Sequence, residues 1–345
     1  MSDRFEQAMQ EAAWLTRSGR LQEATDLIRG ALAPQPSGIV AEDVIDVQAR
    51  VLDEGPAEEA AAAQTDERAE SFEPGHFRNA AGARDFKLYI PPARPSMPAA
   101  GRALIVMLHG CTQDPDDFAR GTRMNAAARE HGALVLYPAQ SRRANPQGCW
   151  NWFKHSHQQR GRGEAGLLEG MVREVVRRHD VDPARVFVAG LSAGAAMAAI
   201  VAETCPDLFA AVGVHSGLAA GAANDLPSAL AAMNGTAPAT RGAATALPTI
   251  VFHGDADATV HPRNAEYVVQ AAGGRGPGSV ERGETGGRRW TKRVFDAGRI
   301  EQWVVHGAGH AWSGGDALGS HADRAGPDAS GEMLRFFLAH PKASG

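Results

Sequence analysis

Four short segments of this 345-residue sequence carry the side chains that hydrolytic chemistry requires. In the first, Gly190-Leu191-Ser192-Ala193-Gly194, a serine stands between two glycines, after the apolar run Arg185-Val186-Phe187-Val188-Ala189 and before the helix-forming run Ala195-Ala196-Met197-Ala198-Ala199-Ile200-Val201. Strand, sharp turn and helix in that order hold a hydroxyl on a strained turn, and the glycines leave room where side chains would strike neighbouring backbone. A serine hydroxyl attacks a carbonyl only when a base takes its proton, and the base needs an acid to orient it. Ser192 is therefore the expected nucleophile. The helix start behind it favours a developing oxyanion, with the Ala193 N–H as the natural donor.

The acid is expected from Pro248-Thr249-Ile250-Val251-Phe252, a strand-like run that ends in His253-Gly254-Asp255-Ala256-Asp257-Ala258-Thr259-Val260. Two carboxylates lie in this loop. Asp257 is preferred because the segment is similar to the His-Gly-x-x-Asp-x-x-Val pattern of many α/β hydrolases, whereas Asp255 would tie the turn through backbone hydrogen bonds. The base is expected from Glu301-Gln302-Trp303-Val304-Val305, which leads into His306-Gly307-Ala308-Gly309-His310. His310 completes the chain order serine, acid, histidine, and His306, nearer the strand, reads as a hydrogen-bonded structural histidine. His109, His215, His253 and His261 fit that order less well and are expected to be mostly structural. The His306/His310 spacing would align two metal ligands only on a helix, and the glycines make this segment a loop. No metal and no cofactor are expected.

The run Ala103-Leu104-Ile105-Val106-Met107-Leu108 leads into His109-Gly110-Cys111-Thr112-Gln113, the position from which a second backbone N–H can reach an oxyanion. Cys111 is the expected donor. Cys149-Trp150-Asn151-Trp152-Phe153 is a dense aromatic loop segment, of a kind that serves as a core plug about as often as a binding surface. Trp150 and Trp152, with Trp312 beside His310, are the expected substrate-facing rings.

These motifs need strands to end where they begin. Strands are expected at 85–90, 103–108, 133–137, 185–189, 210–214, 248–252 and 300–305, with helices near 115–131, 164–179, 193–204, 262–272 and 329–339. Short continuous apolar strands alternating with helices indicate a mostly parallel sheet covered on both faces, with ligands beyond the strands' carboxyl ends. The stretches 215–247 and 275–298 read as irregular and are expected to build the acyl pocket. Residues 1–34 show helical periodicity broken at Ser18-Gly19, a helical hairpin that could self-associate or contact a polymer granule. Residues 35–75, rich in Ala, Glu, Pro and Gly, read as a disordered linker, leaving 76–345 as the catalytic domain.

Composition narrows the functions further. The formal charge of −5 concentrates Lys and Arg on no segment, which argues against a nucleic-acid partner. No run approaches the ~18 apolar residues of a membrane span. The first residues lack the apolar core of a signal peptide, so the expectation is cytoplasmic residence, with an extracellular or periplasmic location as the alternative. Three cysteines, Cys111, Cys149 and Cys205, permit at most one bridge.

Taken as a set, the segments resemble the poly(3-hydroxybutyrate) depolymerase family of esterases, which includes feruloyl and acetylxylan esterase-like members. The likeness runs over roughly 83–340, through Arg84-Asp85-Phe86-Lys87-Leu88-Tyr89-Ile90-Pro91, Leu108-His109-Gly110-Cys111-Thr112-Gln113, Cys149-Trp150-Asn151-Trp152, the Ser192 turn and Gly307-Ala308-Gly309-His310-Ala311-Trp312-Ser313-Gly314-Gly315. The resemblance implies an α/β-hydrolase fold and a Ser192-Asp257-His310 triad. It also implies oxyanion donors at Cys111 and Ala193, and a Cys111–Cys149 disulfide. The expected activity is hydrolysis of poly(3-hydroxybutyrate) or its oligomers. The alternatives are a feruloyl, acetylxylan or short-chain esterase and, in another class, a catalytically silent binding or scaffold protein.

Overall fold

The computed structural model describes residues 70–92, 101–236 and 247–343. The expected hairpin at 1–34 and the expected linker over 35–69 lie outside the described residues. Ten strands form one sheet in the order β1-β2-β4-β3-β5-β6-β7-β10-β9-β8. Its centre is parallel: β4 (Leu134–Pro138), β3 (Arg102–Leu108), β5 (Val181–Leu191), β6 (Ala211–His215), β7 (Thr249–Gly254) and β10 (Ile300–Val305). Antiparallel strands extend both edges, β1 (Ser71–Asn79) and β2 (Gly82–Ile90) on one side, β8 (Ser279–Thr285) and β9 (Arg288–Phe295) on the other.

The central strands are apolar at nearly every position because both faces are covered. Along β3, Leu104, Val106 and Leu108 enter one core cluster while Ala103, Ile105 and Met107 enter the other. On β5, Val186 and Val188 face the first cluster, and Phe187, Ala189 and Leu191 face the second. Side chains alternate across a strand, so each face draws its own row from one unbroken hydrophobic run. The first face carries α3 (Gly163–Arg178) and α4 (Ala193–Thr204); the second carries α1 (Pro115–Thr122), α2 (Met124–His131) and α7 (Ala329–Ala339). The Phe187 and Phe337 rings stack at 5.0 Å, and burying a side chain of this size contributes about 2–3 kcal/mol.

Four local expectations are corrected. The single helix expected near 115–131 breaks at Arg123, where φ is 56° and the N–H donates to the Ala119 and Arg120 carbonyls. The Thr122 hydroxyl, bonded back to the Phe118 carbonyl at 2.8 Å, closes the first helix there. Residues 71–75, expected in the linker, belong to β1, an edge strand able to carry Pro74 because its outer side needs no ladder donor. Most of the 275–298 stretch is a hairpin, β8 and β9, turned by Gly286 and Gly287 at φ of 58° and 79°. That two-glycine turn between strands was legible as a hairpin. Within 215–247, α5 (Leu226–Met233) starts at an Asp225/Ser228 capping box with proline in its first turn.

Candidate active site

Strand register delivers the chemistry to one edge. Leu108 pairs with Gly190, Leu191 with His215, His215 with Phe252, and Gly254 with Val305. The residues that follow these strand ends, at 109–111, 192, 255–257 and 306–310, therefore share the carboxyl edge of the parallel sheet.

Ser192 sits between β5 and α4 at φ 57°, ψ −120°, a conformation that L residues adopt only under constraint. The constraint is visible in the hydrogen bonds and in the glycines. The Ser192 N–H donates to the His215 carbonyl at 3.0 Å, and its carbonyl accepts from Ala196 N–H at 3.0 Å. A Cβ on Gly190 would come within 2.6 Å of the Leu108 carbonyl oxygen, and one on Gly194 would collide with the same atom. Ala193 opens α4, so its N–H has no intrahelical acceptor.

The carboxylate of Asp257 is fully engaged. Oδ1 accepts the N–H groups of Thr259 and Val260, both at 2.9 Å, and Oδ2 accepts His310 Nδ1–H at 2.8 Å. Burial pushes this carboxyl up, but nearby His253 together with the bonds from His310 and the Val260 N–H outweighs it and holds it far below the usual carboxylate range. Asp257 is therefore an anion that fixes the His310 ring and can stabilise an imidazolium. His253 sits behind it, Nε2 at 2.8 Å from the Val260 carbonyl and 3.4 Å from Asp257 Oδ2.

Two residues earlier Asp255 makes a second acid–histidine pair, with His306 Nδ1 at 2.7 Å and Gly307 N–H at 2.6 Å on its two oxygens. The His306 Nε2 lies 2.9 Å from the Thr291 hydroxyl, which ties the loop to β9. Burial separates the two pairs: the side chains of Asp257 and His310 are 0% and 13% exposed, those of Asp255 and His306 41% and 37%. Among the described residues no hydrogen bond joins the Ser192 hydroxyl to His310; substrate-free sites commonly hold this contact long and tighten it around substrate.

The loop after β3 runs against Ser192, since a Cβ on Gly110 would lie 3.7 Å from Ser192 Cβ. Gly110 N–H donates to Gln113 Oε1 at 2.9 Å, and Thr112 N–H to the Gln147 carbonyl at 2.8 Å. His109, kept neutral by burial that lowers its pKa, accepts Gln140 N–H at 3.0 Å. Cys111 is joined to Cys149 by a disulfide, and Cys205 is free and buried.

The three tryptophans expected to face substrate do not. Trp150, Trp152 and Trp312 are 0%, 5% and 1% exposed. Trp150 packs on His109 at 5.8 Å, and Trp152 meets Phe153 edge-on. Trp312 stacks on His215 at 4.8 Å and donates to the Ser330 hydroxyl at 3.1 Å. They plug the layer beneath the site, because a ring with no accessible surface has no face to offer.

His215, expected to be structural, turns out to join the site's loops. Its ring stacks between Phe252 and Trp312, its carbonyl anchors the Ser192 turn, and its Nε2 accepts Ser313 N–H at 3.0 Å. Burial, helped by nearby His253 and His310, lowers its pKa to about 3. The unfolded chain binds this proton near pH 6.5, so the stability contributed by neutral His215 is present above pH 6.5 and lost as pH falls toward 3. Urea denaturation should give an unfolding free energy lower at pH 4 than at pH 7, with on the order of 3 kcal/mol of the fall coming from His215. His215→Gln should flatten that dependence; an unchanged slope would count against the assignment.

Among the described residues no cluster of three or more His, Cys, Asp or Glu side chains could hold a metal ion, and no helix is long and apolar enough to cross a membrane. A mostly parallel sheet with a strained serine turn, an acid loop and a histidine loop at successive strand ends defines an α/β-hydrolase fold. Residues 84–289 match the esterase PHB depolymerase family, and the chain belongs to that family. Poly(3-hydroxyalkanoate) depolymerase C of Paucimonas lemoignei is 41% identical over 116 residues, which cover 34% of this chain and 28% of that protein. Acetylxylan esterase A of Emericella nidulans is 28% identical over 250 residues, 65% of this chain and 79% of that protein. The acetyl xylan esterase structure from Aspergillus awamori shares the fold, with a TM-score of 0.57 at 21% identity over 66% of this chain and 89% of that one. The matched part of this chain thus spans 28% of the depolymerase's length.

Proposed function

We propose that this chain is a serine carboxylic-ester hydrolase acting on poly(3-hydroxybutyrate) or its oligomers. The observation that carries the reading is the buried Asp257–His310 pair, 2.8 Å apart, on the sheet edge that bears the strained Ser192 turn. In the mechanism it supports, Ser192 Oγ attacks the ester carbonyl while His310 takes its proton. The N–H groups of Cys111 and Ala193 receive the oxyanion, and His310 returns the proton to the leaving alcohol. Water, deprotonated by His310, then releases the acid and regenerates Ser192.

Acetylxylan esterase A matches this chain over the greater length, which supports a small-ester substrate as the second reading. The Cys111–Cys149 bridge supports an extracellular or periplasmic location, since thiols stay reduced in most cytosols. A fluorophosphonate probe followed by peptide mapping tests the nucleophile: labelling is expected at Ser192, and an unlabelled protein or a label elsewhere would count against the reading. A panel of hydroxybutyrate oligomers and films, p-nitrophenyl esters, methyl ferulate and acetylated xylan tests the substrate. The highest kcat/KM is expected on hydroxybutyrate oligomers, and preference for the xylan or ferulate esters would favour the second reading.

A further inference from the structure

Glu164 is a charged side chain that the mechanism above does not use, yet its side chain is only 2% exposed. It lies in the first turn of α3, where the helix dipole favours an anion. Its Oε1 accepts Gln140 Nε2 at 2.6 Å and Asn151 Nδ2 at 2.8 Å, with Arg84 Nη2 at 3.4 Å, and its Oε2 accepts Asn151 N–H at 2.7 Å. His157 Nδ1 stands 3.6 Å from Oε2. Burial pushes the carboxyl up, and nearby His157 together with the bonds from Gln140 and Asn151 outweighs it, so the group stays an anion.

Removing a carboxylate from water costs several kcal/mol unless its acceptors are filled, so the geometry this hub imposes is stiff. What it holds is the far end of the disulfide. The second hydrogen of Gln140 Nε2 goes to the Cys149 carbonyl at 2.9 Å, and Asn151 is two residues further along. Cys149 is bonded to Cys111, and the Gln140 N–H reaches His109 at the root of the same loop at 3.0 Å. We infer that Glu164 is a positioning residue for the oxyanion site, holding Cys149 through Gln140 and Asn151 and thereby fixing where the Cys111 N–H points. The inference rests on the reading of Ser192 as an ester-cleaving nucleophile.

A donor set that meets charge only in the transition state affects kcat, while ground-state binding sets KM. Glu164→Gln keeps the shape but turns an NH2 toward a hydrogen-bond donor. With p-nitrophenyl butyrate its kcat should fall about tenfold per active site titrated, with KM within about twofold. Affinity for an alkyl boronic acid, whose tetrahedral adduct needs the same N–H groups, should fall by a similar factor. In a Cys111→Ser/Cys149→Ser background the same substitution should lower kcat by less than about threefold, because the disulfide link is cut and only the Gln140 N–H on His109 still joins the hub to the loop. A lower Tm with kcat and boronate affinity unchanged, or an effect of full size in the bridge-free background, would overturn the inference. If Glu164→Gln is not recovered folded, Gln140→Met, which removes the Nε2 bonds to Glu164 and to the Cys149 carbonyl together with the Oε1 contacts to Arg84 and the Ser141 N–H, must show the same split; unchanged kcat there overturns it. A wild-type protein that cleaves no ester counts against the reading of the site. An active wild type whose variants keep kcat counts against Glu164 alone.

Discussion

Ser192→Ala should lower kcat for p-nitrophenyl butyrate by roughly 10⁵- to 10⁶-fold while leaving the fold in place. The size follows from the two-step reaction: without Oγ no acyl-enzyme forms, and what remains is whatever the oxyanion N–H groups and His310 can do for direct attack by water. The backbone at φ 57° is held by Ser192 N–H on the His215 carbonyl and by the absence of a Cβ on Gly190 and Gly194, none of which the substitution alters. Far-ultraviolet circular dichroism and Tm should therefore match the parent. The variant should also lose fluorophosphonate labelling. Full retention of ester hydrolysis would remove Ser192 from the mechanism.

The second large effect separates two aspartates that lie two positions apart. Asp257→Asn should cost kcat on the order of 10⁴-fold, because a carboxamide NH2 facing His310 Nδ1 forces the hydrogen onto the other ring nitrogen, where the base must be free. Asp255→Asn should cost less than about tenfold, acting only through the placement of the 306–310 loop. The geometry behind the contrast is that Asp257 reaches His310 at 2.8 Å with a fully buried side chain, while Asp255 reaches His306 at 2.7 Å with 41% of its side chain exposed. Water can replace the contacts of the exposed pair but not those of the buried one. Steady-state kinetics of the two variants side by side would reverse the assignment if Asp255→Asn proved the more damaging.

The segments that were legible in advance share one property: their signal is local. Apolar runs at 103–108 and 185–189 read as covered strands because both faces of the sheet draw on them, and Gly190 and Gly194 read as a tight turn because no side chain fits there. The Gly286-Gly287 hairpin and the Asp225 capping box carried equally local signals, and the irregular reading of those stretches overlooked them. Aromatic loop residues behave otherwise. A tryptophan that plugs a core and one that meets a substrate have the same composition around them, and only packing tells that Trp150 and Trp312 are closed off by His109, His215 and Phe118.

Residue types and spacing were sufficient to determine the turn at Ser192, the α/β order of elements and the two strand-end loops that offer an acid and a base. Which acid meets which base was decided by the tertiary structure. Asp257 and His310 are separated by 53 positions, Asp255 and His306 by 51, and Cys111 and Cys149 by 38. Each pairing depends on β10 lying beside β7, or on the loop after β4 folding back to the end of β3, arrangements set by the packing of the whole sheet. Turn strain and strand alternation are short-range and leave their mark on neighbouring residues. Burial, which closes the Asp257–His310 pair off from water and leaves Asp255 partly exposed, arises only when distant strands close over a shared core.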